Sequence, residues 1–240
     1  TQAPASAASA VYKRQMSINS AKKSGHVAII MDGNSRWARQ RNLKIIEGHK
    51  QGVKRLRDIV KYSAKSKISH LSVFAFSTEN WKRSASEVSD LMQLFLQSII
   101  KEVPELIENK VQLNFIGDIP RFSKSLVSKI SSSMEDTQVR NPNLILSVAI
   151  SYGGRWDILN AIKGLKDHKI NINKITEDEF SNLLSTSNLP DPDLLIRTGN
   201  EIRISNFFLW QISYSELYFS KLLWPDFKSV SYTHLRAHET

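Results

Sequence analysis

An aspartate followed four and seven positions later by arginines, in DGNSRWAR, is the first grouping whose residue types and spacing could do chemistry. Asp32 supplies a carboxylate, and Arg36 and Arg39 fall one above the other on a helix face, so an acid and two cations share a small region. That trio suits a diphosphate with a divalent cation. Guanidinium forks match phosphate oxygens, and Mg2+ is commonly held by one or two carboxylates plus substrate phosphates. A second grouping lies in RTGNEIRISN, where Arg197, Arg203 and Ser205 offer donors and Gly199 would let backbone N–H groups approach a ligand. Glu216 is the other candidate ligand for a hard cation. His49 follows Gly48 near a helix start, where a helix cap is the default reading and proton handling the alternative. The pair Gly153-Gly154 reads either as a tight turn before a helix or as an approach for a ligand.

These residues need a frame that gathers them. Val27 to Met31 form an apolar run without in-out alternation, the pattern of a strand buried on both faces, and Asp32 stands at its carboxyl end. Further strand-like runs are LSVFAF, VQLNFIG, LILSVAI and DLLIR, and helical apolar spacing covers 47–66, 85–109, 122–137 and 155–167. The alternation predicts a single α/β domain with a mainly parallel central sheet flanked by helices. Strand ends of such a sheet converge on one edge. STENWKR, SYGGRWD and RTGNEIRISN follow three of the runs, and a later aromatic run ends near Glu216, so all are expected there. Ser84 and Ser86 ahead of Glu87 mark a helix start, after which Leu91, Met92, Phe95, Leu96 and Ile99 make an apolar stripe, either plain core or the wall of a hydrophobic tunnel. Thr176 with Glu179 is a capping box for a short helix.

Composition narrows the partners. The net charge of +10 favours an anionic partner, and the absence of Cys removes thiolate metal sites and disulfides. No P-loop, dinucleotide fingerprint, zinc-peptidase pair or nucleophile elbow occurs, and no nucleic-acid signature is found. Residues 1–25, rich in Ala and Ser and free of acids, read as a disordered leader, partly non-native, or else as an organellar transit peptide. The domain is expected over 26–227, and 228–240 as a non-native tail.

In this order, HVAIIMDGNSRWA, GHKQG, FAFSTENWKR, SYGGRWDI, DLLIRTG, RISNFFLWQ and SELYF resemble the cis-prenyltransferases, the undecaprenyl diphosphate synthase family. The resemblance implies a Mg2+-dependent homodimer that adds isopentenyl diphosphate to an allylic diphosphate, usually farnesyl diphosphate, with new double bonds cis. It further implies that Asp32 helps hold Mg2+ and assists loss of the allylic diphosphate, which Gly33, Asn34, Arg36, Arg39 and Trp37 surround. Asn80, Trp81 and Arg83 would lie in a flexible loop over the site, with Asn80 and His49 assisting proton transfer. Arg197, Arg203 and Ser205 would cradle the diphosphate of isopentenyl diphosphate, and Glu216 would be the second metal ligand, near the dimer contact. A cytoplasmic enzyme touching the membrane through its lipid product is expected, organellar if the leader is a transit peptide.

Three departures touch diphosphate contacts: Ser35 where many members have Gly, Ile45 where bacterial members often have Arg, and Asn200 in place of a usual Gly. The arginine-rich end usual after WPDF is not found in KSVSYTHLRAHET, from which a truncated, poorly active enzyme is expected. With no insertion between Glu102 and Val111, the expected product is of medium, bacterial-type length, near undecaprenyl. The alternatives are a non-catalytic partner subunit of the same fold, against which Asp32 argues, and a basic nucleic-acid-binding domain.

Overall fold

The structure, a computed structural model, describes residues 25–66, 68–167 and 172–228; the expected leader and tail, apart from Gly25 and Lys228, fall outside them. Six strands, β1 (His26–Ile30), β2 (His70–Ser77), β3 (Val111–Ile116), β4 (Leu144–Tyr152), β5 (Leu194–Arg197) and β6 (Glu216–Phe219), form one sheet in the order β3-β4-β2-β1-β5-β6. Every pairing is parallel, where a mainly parallel sheet was expected. β1 is buried along its whole length, as its unbroken apolar run requires of a central strand. Alternate side chains serve opposite faces. Val27 and Ile29 enter the larger core, and Ala28 and Ile30 the smaller one with Phe207 and Phe208.

Helices α1 (Asn34–Arg39), α2 (Ile45–Lys65), α3 (Ala85–Glu108), α4 (Lys124–Asp136), α5 (Gly154–Asp167) and α6 (Glu177–Ser181) connect the strands. Ser84 starts α3, its Oγ accepting from Glu87 N at 3.3 Å, and Thr176 and Glu179 form the expected reciprocal cap of α6. The GHKQG segment has a packing reason. A Cβ at Gly48 would stand 2.1 Å from the Asn34 carbonyl oxygen, and one at Gly52 would stand 2.4 Å from Asn34 Oδ1, so glycines one turn apart let α2 press against the start of α1.

The chain leaves β1 for β2 on one side and returns to β5 on the other, so the gap between β1 and β5 is a topological switch point. At that point the loops diverge and leave a crevice at the carboxyl ends of the strands. The last residue of β5 is Arg197, and Asp32 follows β1 by two residues.

Candidate active site

Asp32 is fixed through its backbone before its side chain does anything. Its N–H donates to Thr198 Oγ1 (3.1 Å), and its carbonyl accepts from Thr198 Oγ1 (2.8 Å) and Trp224 N (3.0 Å). Thr198 is fully buried and was given no role by the sequence, although it lies inside the RTG run. The carboxylate then meets two cations: Oδ2 accepts from Arg197 Nη2 at 2.8 Å, and Oδ1 pairs with Arg36 Nη2 at 3.1 Å. Arg197, 4 % exposed, also donates from Nη1 to the Arg203 carbonyl (2.6 Å) and Ser205 Oγ (2.5 Å), while its buried Nε has no partner. Ser205 itself sits at φ 46, a left-handed conformation that a non-glycine residue keeps only where its surroundings impose it.

The second acid here is Glu201, which lies 3.9 Å from Arg36 and 3.1 Å from Arg203. Three guanidinium groups therefore face two carboxylates, leaving one net positive charge beside the crevice. Gly199 works differently from expectation. Its N–H donates to the Leu222 carbonyl (2.7 Å), so it is not free for a ligand; instead its φ of +92 and missing Cβ, which would stand 2.6 Å from Arg36 Nη2, let that arginine close over Asp32.

An apolar cavity of about 190 Å3 adjoins this cluster. Met31, Asn34 and His49 line one end of it, and Leu106, Asn109 and Val111 the other, so it runs the length of the strands between α2, α3 and the sheet. Of the expected stripe, Leu91, Met92, Phe95 and Ile99 line the cavity, and Leu96 packs against the core instead. At the mouth, Asn34 Oδ1 and His49 Nε2 are buried without a hydrogen-bond partner. His49 is no helix cap: it is in the second turn of α2, and burial, helped by the nearby Arg83 charge, lowers its pKa from 6.5 to about 4. It is neutral at pH 7.

Other expected site residues have structural partners. Asn80 Oδ1 accepts from Ser77 N (3.0 Å), closing a capping box on the short 3-10 turn Thr78–Lys82. Trp81 belongs to that turn. It packs on Phe76 and Phe122, donates to Ser151 Oγ (2.9 Å) and carries the Arg121 guanidinium over its ring. Arg83 pairs with Glu87 (2.7 Å). Trp37 donates to Asp226 (2.9 Å) under the Arg41 guanidinium, and Arg39 is exposed on the last turn of α1. Gly33, at φ 116, is the turn into α1, with Leu223 where a Cβ would be. Gly153 and Gly154 likewise serve packing, against Thr78 and Asn206 in one case and Leu209 in the other. Asn206 ties three loops together through Glu79 (2.9 Å), Arg155 N (2.9 Å) and Gly154 N (2.7 Å).

Glu216 requires a correction. The aromatic run before it is turn, and the strand begins at Glu216, opposite Leu194, which in turn pairs with Val27. Asp32 is five residues beyond Val27, so within one chain the two carboxylates stand on opposite edges of the sheet, roughly 16 Å apart along the strands. Asp32 is the carboxylate at the end of β1, and its side chain is 30 % exposed, which fits a hard cation completed by a ligand's own oxygens and water.

A cationic crevice at the switch point of a parallel sheet, opening on a long apolar cavity, defines a protein for molecules with an anionic head and an apolar tail. Residues 30–237 match the family model described as "Putative undecaprenyl diphosphate synthase". The chain is 50% identical over 202 residues to an isoprenyl transferase of Neisseria meningitidis serogroup A, covering 84% of this chain and 80% of that one. It is 46% identical over 211 residues to the (2E,6E)-farnesyl-diphosphate specific ditrans,polycis-undecaprenyl-diphosphate synthase of Haemophilus influenzae, covering 86% and 88%. Lavandulyl diphosphate synthase from Lavandula x intermedia, solved with dimethylallyl diphosphate, superposes with a TM-score of 0.84 at 36% identity, covering 89% of this chain and 94% of that one. The chain belongs to the undecaprenyl diphosphate synthase family of prenyltransferases.

Proposed function

We propose that the chain lengthens farnesyl diphosphate with isopentenyl diphosphate units, in a Mg2+-dependent reaction, to a cis-polyprenyl diphosphate of about undecaprenyl length. The observation that carries this is the placement of Asp32, Arg36 and Arg197 beside Met31 and Asn34, which line one end of the apolar cavity. An allylic diphosphate bound head at the arginines and tail in the cavity has its scissile C–O bond between the two environments. When that bond breaks, the electron pair leaves with the diphosphate, and Arg36 and Arg197 stand ready to meet the added charge. Mg2+ held by Asp32 and the diphosphate oxygens would supply further neutralisation of the leaving group. The terminal alkene carbon of isopentenyl diphosphate then bonds to the allylic carbon. A proton leaves the carbon next to the resulting cation, and its electron pair forms the new double bond. His49 Nε2, neutral and unpartnered at the mouth, is suited to accept that proton. The cavity excludes water, which would otherwise capture the cation.

Ser205 and Arg203, held around Arg197, form the second diphosphate cradle. A homodimer is supported by the outer face of β6, an edge strand exposing Leu217 and Tyr218 beside exposed Tyr214 and Leu222; a second copy covering it would also bury Glu216, the metal ligand expected near that contact. Among the described residues no helix is long and apolar enough to cross a membrane, and a cytoplasmic enzyme meeting the bilayer through its product accords with this. Chromatography of dephosphorylated products from labelled isopentenyl diphosphate and farnesyl diphosphate tests the reading. A product near undecaprenol supports it; only much shorter or longer chains contradict the length, and no extension contradicts the reaction.

A further inference from the structure

The wall of the apolar cavity is thin at one seam, and charge closes it. Val53 and Arg57 of α2 with Leu94, Ser98 and Glu102 of α3 line both the cavity and a groove on the outer surface, so one layer of side chains separates the inside from solvent. Arg57 and Glu102 cross this seam as a bidentate pair, Nε to Oε2 at 2.6 Å and Nη2 to Oε1; Glu105 extends it to Lys61 at 2.5 Å and to Arg57 at 3.7 Å. All four charged residues line the cavity, most of whose other lining residues are apolar. A charged lining is an odd choice for a prenyl chain unless those groups are occupied with one another.

Their position along the cavity matters. Arg57 and Lys61 lie eight and twelve residues beyond His49 on α2, roughly 12 and 18 Å from the mouth. The growing tail reaches that depth only after elongation is under way. Between Glu102 and Glu105, Pro104 interrupts α3, removing one backbone N–H and freeing the Ile100 carbonyl, so the helix is weakest where it carries the cluster. Outside the seam, Lys50, Lys54 and Lys101 rim the groove.

We propose that the Arg57–Lys61 and Glu102–Glu105 cluster is a latch on the side wall that limits product length. Closed, it confines the tail to the cavity; parted, it lets the tail leave sideways between α2 and α3, and elongation continues. These are positioning residues, acting through the wall and not on the reacting atoms. The inference rests on the prenyl-transfer reading above.

The test is the product-length distribution of the full chain with farnesyl diphosphate and isopentenyl diphosphate. Combined Glu102→Gln and Glu105→Gln substitutions are expected to lengthen the main product by one or more five-carbon units, and the charge exchange Arg57→Glu with Glu102→Arg to return it towards the parent length. Unchanged lengths in the neutralised variant, shown to be folded by circular dichroism, overturn the latch, as does an exchange variant making products as long as the neutralised one. A parent that incorporates nothing overturns the prenyl-transfer reading itself, which separates the two failures.

Discussion

Replacing Asp32 by alanine removes the carboxylate that answers a nearly buried guanidinium. The Arg197 side chain is 5% exposed and keeps two neutral acceptors, the Arg203 carbonyl and Ser205 Oγ, but loses its only anionic partner among the described residues. Breaking a buried pair from one side costs about 3–5 kcal/mol. Because the Asp32 side chain is 30% exposed, water can enter the space it leaves, which puts this case at the low end, about 3 kcal/mol. Arg36, 40% exposed, adds less than about 1 kcal/mol. For a chain of this size the loss corresponds to a fall in Tm of about 6 to 12 °C. The same vacancy leaves cations seeking an anion, so inorganic diphosphate at a hundredfold its Kd should return about 2.7 kcal/mol, and should raise the Tm of the variant more than that of the parent. Thermal unfolding of parent, Asp32→Ala and Asp32→Asn, with and without diphosphate, makes the comparison, the Asn variant falling between because it retains an acceptor. An alanine variant as stable as the parent, or one that diphosphate does not stabilise, refutes the assignment of this cluster as a diphosphate cradle held open by an internal carboxylate.

Gly199→Ala forces a Cβ into a left-handed position and against Arg36, so it should cost about 1–3 kcal/mol in urea unfolding and raise the KM for the allylic diphosphate; an unaffected KM would mean that Arg36 does not need this approach. His26 and His49 are both pushed by burial from 6.5 to about 4. The unfolded chain therefore binds protons that the folded chain refuses, and stability falls as pH drops from 6.5 towards 4, by up to roughly 3 kcal/mol for each histidine. Urea midpoints from pH 7 to 5 measure this slope, which His26→Gln should flatten; an identical slope in the variant would show that His26 does not titrate as described. Ile99→Trp narrows the cavity and should shorten the product by one or more isoprene units in the chromatographic assay, whereas unchanged lengths would remove Ile99 from the tail's path.

The sheet was legible because β1 carries an unbroken apolar run and β4 one broken only by Ser147, as buried interior strands require, and because Ser84 and Thr176 announce their helices through short-range hydrogen bonds. The convergence of the Asp32 and Arg197 segments was legible because parallel strands gather their carboxyl ends on one edge, whereas the sequence grouped Asp32 with Arg36 and Arg39, and the structure brings Arg197, not Arg39, to its carboxylate. What failed depended on distant partners. Glu216 was placed at the wrong end of its strand because the aromatic residues before it form turns buried by tertiary packing, with Phe207 and Phe208 fully enclosed beneath Tyr152. The packing around Trp81 was not legible because the sequence does not show Phe122 and Arg121 arriving from another segment to enclose it. Gly199 looked like an approach for a ligand, and the moiety that approaches is Arg36. The ion-pair cluster across α2 and α3 gave no signal at all, since Arg57 and Glu102 are 45 positions apart and each reads alone as a solvated charge.

Asp32 and its arginines are proposed to drive prenyl transfer beside the cavity. Incorporation of labelled isopentenyl diphosphate onto farnesyl diphosphate, with and without Mg2+, by the parent and by Asp32→Ala tests it most directly. The expected result is Mg2+-dependent incorporation by the parent and a loss of at least a hundredfold, about 2.7 kcal/mol of transition-state stabilisation, in the variant. Equal incorporation by the two proteins, or incorporation by the parent that is indifferent to Mg2+, would contradict it.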